Sequence, residues 1–296
     1  MDLRQESVNV DGFDIAYLAV GDAGPLAVCL HGFPDSAWTW RHLLPALADA
    51  GFRAVAPWLR GYAPTGVPPD GRAQIGASVA DVAGLHAALG GDSDTVVIGH
   101  DWGARIATGA AVLAPDKWRR VVTMAVPPAG AVAQSFLTYD QLRRSWYMFF
   151  FQTPFADIVV PLDDLAFVDR LWGDWSPGYG ADQRAEDVGC AKDSLRDPAC
   201  LAVAIGYYRA TLSGVGVDPA LAAEETATNG TPPQPHLYLH GADDGCMGVE
   251  IARRAPAHLP HDESRYEEIA GAGHFLQLEK PEEVNRLVVE FVQPRQ

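Results

Sequence analysis

The chain has 296 residues, enough for one large domain or a domain carrying an insertion. Its 48% hydrophobic and 20% charged residues give the balance of a globular protein, not of a disordered one. A formal net charge of −16 argues against nucleic acid and anionic membrane surfaces as partners, since both attract basic patches. It also disfavours strongly anionic substrates unless a local cationic pocket overrides it.

The start, MDLRQESVNVDG, has no basic stretch leading into an apolar run, and no apolar stretch approaches the ~20 residues that span a bilayer. Cys29, Cys190, Cys200 and Cys246 lack metal-ligand spacing and read as reduced thiols. The expectation is a cytoplasmic protein, monomeric or homodimeric, with no metal and no membrane anchor.

Strands are predicted at 14–20 and 26–30, the second almost wholly apolar and therefore central. A helix at 40–50 ends at Gly51, and a strand follows at 53–56. A helix at 77–89 stops at Gly90-Gly91. A β-branched strand at 95–98 runs straight into Gly99, and a helix at 104–113 and a strand at 120–126 follow. From about Pro127 to Pro235 the pattern becomes aromatic-rich and helical, with no clean strand. Alternation returns at 236–240 and 265–269, before a last helix at 282–291. This is an α/β pattern: a mostly parallel central sheet with helices on both faces and an inserted helical cap. The expected division is a core of 1–128 and 234–296 with a cap of 129–233, and Thr231-Pro-Pro-Gln-Pro235 as the rigid return.

The strongest chemical signal is Gly99-His100-Asp101-Trp102-Gly103, set between a strand and a helix. It has the form of a nucleophile elbow with aspartate at its centre, held out at the carboxyl end of a strand where open α/β sheets bind ligands. Read as local structure alone, Asp101 would be a helix N-cap. His31-Gly32-Phe33-Pro34 follows the buried strand, where the N–H of Phe33 can join that of Trp102 on a developing oxyanion. His240-Gly241-Ala242-Asp243-Asp244-Gly245 offers an acid, with Asp244 preferred and Asp243 the alternative. Gly271-Ala272-Gly273-His274-Phe275 offers the base. The order Asp101, acid, His274 is the triad order of the α/β-hydrolase fold. A carboxylate attacks carbon to form an alkyl ester, and a base then activates the water that hydrolyses it.

With these motifs on nearly its whole length, the chain resembles the epoxide hydrolases of the α/β-hydrolase superfamily. Arg60-Gly61-Tyr62 matches as well, and so do two segments of the expected cap. Trp146-Tyr147-Met148-Phe149-Phe150-Phe151-Gln152 resembles the segment holding the family's first proton-donating tyrosine, at Tyr147. Gly206-Tyr207-Tyr208-Arg209 resembles the segment holding the second, at Tyr208, with Tyr207 the fallback. The resemblance implies a cofactor-independent hydrolase that takes a small apolar epoxide and water to a vicinal diol. Two phenols with reference pKa near 10 would donate as the C–O bond opens. Haloalkane dehalogenases, which also carry Asp-Trp at the elbow, are the alternative. Fluoroacetate dehalogenases resemble the chain in Asp101 and Arg105, but they carry Arg after the nucleophile and a His-Trp pair in the cap. This chain has Trp102 and Tyr147-Met148 there, so that activity is disfavoured. A catalytically silent binding protein of this fold is the reading from outside the enzymes.

Overall fold

The structure, a computed structural model, describes residues 2–293. Its strands are β1 (Arg4–Val10), β2 (Phe13–Val20), β3 (Leu26–Leu30), β4 (Arg53–Pro57), β5 (Val96–His100), β6 (Arg120–Met124), β7 (His236–Gly241) and β8 (Arg265–Ile269). They form one sheet in the order β1-β2-β4-β3-β5-β6-β7-β8. The run from β4 to β8 is parallel, and β2 is antiparallel to both of its neighbours. The apolar strand at 26–30 lies between β4 and β5 and is buried at every residue, as its composition requires.

The strand β1 was not foreseen. It is an edge strand with most of its side chains in solvent, so hydrophobic periodicity does not announce it. The available signal was Asp11-Gly12, a two-residue turn with positive φ at both positions (50° and 87°) that joins β1 to β2 as a hairpin. The helix expected at 40–50 is shorter, Leu43–Asp49, preceded by a 3₁₀ turn at Ala37–Trp40. Pro45 has no amide to reach the carbonyl of Arg41, which keeps the helix from extending back through that residue.

Helices Ile75–Ala88 and Trp102–Leu113 pack against each other, as do Leu43–Asp49 and Pro281–Val292. Between β6 and β7 the described residues form helices and no strand, the longest being Leu162–Trp175, Ala181–Leu195 and Pro198–Ser213. The last has a legible start and stop. Asp197 accepts the Ala199 N–H, Pro198 occupies the first position, and Gly214 ends it at φ 67°. No helix among the described residues is long and apolar enough to cross a membrane.

This topology locates the site. The chain leaves β3 for β4 on one side and returns to β5 on the other, so β3 and β5 flank a topological switch point. Their carboxyl ends border the crevice where such sheets bind ligands. His31-Gly32-Phe33 leaves one end and Asp101 leaves the other.

Candidate active site

Asp101 turns the chain from β5 into helix Trp102–Leu113 at φ 53°, a conformation uncommon for a residue with a side chain. Its side chain does not cap that helix. The strained turn is held by close approach. A Cβ on Gly99 would lie 2.0 Å from the Gly103 carbonyl oxygen, and one on Gly103 would lie 2.1 Å from that of Leu30. The carboxylate is buried, and its Oδ1 accepts the Phe33 N–H at 2.8 Å. Gly32 permits this contact, because a Cβ there would stand 2.2 Å from the same oxygen. The Trp102 N–H, the first amide of the helix, makes no hydrogen bond to the carboxylate. It belongs to the set of amides that a helix start leaves unsatisfied.

The loops after β7 and β8 bring Asp244 and His274 together. Asp244 Oδ2 accepts from His274 Nδ1 at 3.0 Å, while its Oδ1 accepts the amides of Cys246 (2.7 Å) and Met247 (2.9 Å). Asp243 is exposed, so of the two candidate acids it is Asp244 that meets the histidine. His274 Nε2 stands 3.7 Å from Asp101 Oδ2, beyond hydrogen-bond length, and has no hydrogen-bond partner among the described residues. Burial by itself favours the neutral ring. The carboxylate of Asp244, seconded by that of Asp101, outweighs burial and raises His274 to about 10. Burial likewise favours the neutral acid at Asp244, but the His274 charge and hydrogen bond hold it below the ordinary carboxylate value. The carboxylate of Asp244, the thiol of Cys246 and a His274 ring nitrogen lie within 4.8 Å of one another. Hydrogen bonding accounts for that grouping without an ion, since both carboxylate oxygens are already engaged.

Asp101 opens into a cavity of about 650 Å³ whose walls include Tyr147, Tyr208, Trp102, Cys246, Val132 and Phe136. The two tyrosine rings stand edge to face, 5.6 Å between centroids. Tyr208 Oη is buried and makes no well-formed hydrogen bond, although the Trp102 indole N–H acts on it, and Tyr147 Oη meets only Cys246 Sγ, at 3.4 Å. Burial is the main cause that pushes both phenols well above their ordinary pKa, so they keep their protons. Tyr207 is committed elsewhere, to Ser78 Oγ (2.9 Å) and the Arg60 carbonyl (3.0 Å). Gln152 and Arg209 stitch the two tyrosine segments together. Gln152 Nε2 donates to the Tyr208 carbonyl at 3.2 Å, and Arg209 Nε donates to that of Phe151 at 2.8 Å.

Residues 25–281 match a family described as having the alpha/beta hydrolase fold. Epoxide hydrolase A of Mycobacterium tuberculosis is 31% identical over 315 residues, with 96% of each chain covered. This chain belongs to the epoxide hydrolase family of the α/β-hydrolase fold. Two solved epoxide hydrolases superpose on it at 28% identity. One, from an endophytic Streptomyces, has a TM-score of 0.78 and covers 98% of this chain and 95% of its own. The other, epoxide hydrolase A from Mycobacterium thermoresistibile, has a TM-score of 0.77 with 98% of both covered.

In this epoxide hydrolase-family chain the histidine loop is held by groups that the motifs do not reveal. The carbonyl of Trp175, at the end of helix Leu162–Trp175, accepts both the Gly245 N–H (2.9 Å) and the His274 N–H (3.0 Å). Ser176 Oγ accepts the Phe275 N–H (3.1 Å) and donates to Glu279 (2.6 Å), whose carboxylate also accepts the Gly273 N–H (3.0 Å). From below, His100 Nε2 donates to the His274 carbonyl at 2.9 Å. A backbone carbonyl has no sequence signature, so the Trp175 tie could not be anticipated. His100 stands inside the elbow motif, whose pattern gives no hint of this bond to the histidine loop.

Proposed function

We propose that this chain hydrolyses an epoxide to a vicinal diol through an alkyl ester on Asp101. The observation that carries the reading is the opposition, across one cavity, of an elbow carboxylate and two protonated phenols without strong partners. Buried polar groups are normally hydrogen-bonded, and three atoms clustered here are not: Tyr208 Oη, Trp102 Nε1 and His274 Nε2.

In the first step Asp101 Oδ2 attacks a ring carbon, the C–O bond breaks, and the ring oxygen takes a proton from Tyr147 or Tyr208. Oδ1, already on the Phe33 N–H, becomes the ester carbonyl oxygen. In the second step His274 Nε2 takes a proton from water as the water attacks that carbonyl. The charge that develops falls on Oδ1, held by the Phe33 N–H and, as it grows, by the Trp102 N–H. Esterification erases one of the two charges that raise His274, so between the steps the ring passes its proton to the phenolate and is neutral when the water attacks. Collapse breaks the ester C–O bond, and the carboxyl proton goes to the leaving alkoxide, which releases the diol and restores the Asp101 carboxylate. Residues 129–233 act as the cap that supplies the phenols. The substrate enters without a cofactor or metal, and the four free cysteines fit a cytoplasmic setting.

The test is diol formation from styrene oxide by the wild type and by Asp101→Ala. Diol from the first and none from the second supports the reading. Diol from both removes Asp101 from the reaction. Trp102 Nε1, a buried donor without a partner, favours a second reading, a haloalkane dehalogenase in which that N–H holds the leaving halide. Halide release from a bromoalkane without diol from epoxides would decide for it.

A further inference from the structure

A cation without an ion pair stands in the cavity beside Asp101. Among the lining residues Arg105 is the one Lys or Arg. It follows Asp101 by four positions, about 6 Å further along helix Trp102–Leu113, and its guanidinium lies 5.5 Å from the centre of the Trp102 ring. Its hydrogen bonds leave from Nη2 alone, to Thr228 Oγ1 and Asn229 Oδ1, each at 3.1 Å. Both acceptors are neutral. Of five N–H donors, the three on Nε and Nη1 have no acceptor among the described residues.

The nearby acids do not fill the gap. Glu225 also lines the cavity, but its Oε2 accepts the Gly76 N–H at 2.8 Å, and among the described residues no carboxylate lies within 4.0 Å of the guanidinium. Asp101 Oδ1 is bound to Phe33. Burial is the largest influence on Arg105 and works against its charge; Glu225 and Asp101 support the charge from a distance. Arginine nonetheless stays charged throughout the working range. A guanidinium that is only part-buried, with its free donors open to water or to whatever fills the cavity, can hold its charge without an ion pair. This one is left without a pair in a chain with 38 acidic and 22 basic residues.

Resting on the epoxide-hydrolase reading, we propose that Arg105, held by Thr228 and Asn229, anchors a carboxylate on the substrate, so that the preferred epoxide is an epoxy acid. The apolar wall of Val132 and Phe136 suits the alkyl spacer between the carboxylate and the ring. The overall negative charge of the protein does not forbid such a substrate, because the local cation governs at close range.

The experiment compares 5,6-epoxyhexanoate with its methyl ester, by diol formation, in the wild type, Arg105→Gln and Arg105→Lys. The wild type should favour the acid by at least about tenfold in kcat/KM. Arg105→Gln should erase that preference through KM, and Arg105→Lys should keep part of it. Calorimetry with hexanoate, which needs no turnover, should show binding to the wild type that weakens at least about tenfold in Arg105→Gln. Equal handling of acid and ester by the wild type, or a preference untouched by Arg105→Gln, overturns the anchor and leaves a site for neutral epoxides. Hexanoate binding that depends on Arg105, with neither epoxide hydrolysed, keeps the anchor and overturns the reaction instead.

Discussion

The two halves of the site are held in different ways. On the sheet side Asp101, Phe33, Asp244 and His274 sit on loops at strand ends, each fixed by backbone contact. Phe33 N–H is on Oδ1, two amides are on Asp244, and the Trp175 carbonyl is on the histidine loop. On the helical side Tyr147 and Tyr208 are placed by rings packed on rings, including Phe151 and Trp175, while their hydroxyls are almost unbonded. The same side carries the most exposed large apolar residues, among them Leu137, Tyr139 and Phe155. The sheet side is built to a fixed geometry and the helical side to shape and donor chemistry. A change on the sheet side should therefore abolish a step, and a change on the helical side should slow one.

The largest effect expected is for His274→Ala. Without its base the enzyme should still form the ester but fail to release it, with turnover down on the order of 10⁴-fold or more. Intact-mass analysis after a pulse of styrene oxide should show one substrate mass added, located on Asp101 by peptide mapping. An unmodified protein would mean that His274 is needed before the ester forms.

Next come the phenols. Tyr147→Phe and Tyr208→Phe should each slow ester formation by roughly 10-fold, and the double variant by about 10³-fold, more than the product of the two, because either phenol can serve when the other is gone. Of the two single variants Tyr208→Phe should be the more damaging. Its hydroxyl has only the Trp102 indole N–H acting on it, a donor that leaves the phenolic proton free, whereas that of Tyr147 is shared with Cys246. Rapid-mixing measurement of the alkylation step checks both points, and losses as large as that of His274→Ala would erase the contrast between the two sides.

That contrast also governs what could be read from the sequence. Backbone closeness demands glycine, so the sheet side leaves written traces: Gly99 and Gly103 around Asp101, Gly32 before Phe33, Gly273 before His274. Ring packing demands only bulk, so Tyr147 stands out from Phe149 to Phe151 through the family resemblance alone. The choice of Tyr208 over Tyr207 becomes physical only once Tyr207 is seen bonded to Ser78 and Arg60. The ties from Trp175 and Ser176 to the histidine loop join residues about a hundred positions apart, partly through a carbonyl that any residue carries. β1 escaped for the converse reason, since an edge strand facing solvent has no apolar alternation to show.

A smaller but sharper test concerns the charge between the halves. His274 lies near 10 after burial, which lowers it, is overcome by Asp244 and by Asp101. Replacing Asp101 by Ala removes a negative charge as esterification does, so the folded-state pKa of His274 must fall, by about 1 to 3 pH units for a carboxylate this near. Imidazole NMR titration of the two proteins checks it. The same sign predicts that ester breakdown in the wild type rises with pH through a value below that of the free enzyme. An unchanged His274 in Asp101→Ala would leave Asp244 as the sole source of its high value.

The smallest effect expected is at Ser176, where the helical side touches the sheet side through one hydroxyl. Ser176→Ala leaves the Phe275 amide without its acceptor and frees Glu279 from one of its partners, at a cost of about 1 to 3 kcal/mol of stability. Thermal denaturation reads that loss whatever the tie does for catalysis. The discriminating measurement is the split between the two chemical steps. His274 hangs on this loop and Tyr208 does not, so ester breakdown should slow several-fold while ester formation keeps its rate. Slowing of both steps together would mean that the helical block moves as a unit when the tie is cut, and the two sides of the site would then share one framework.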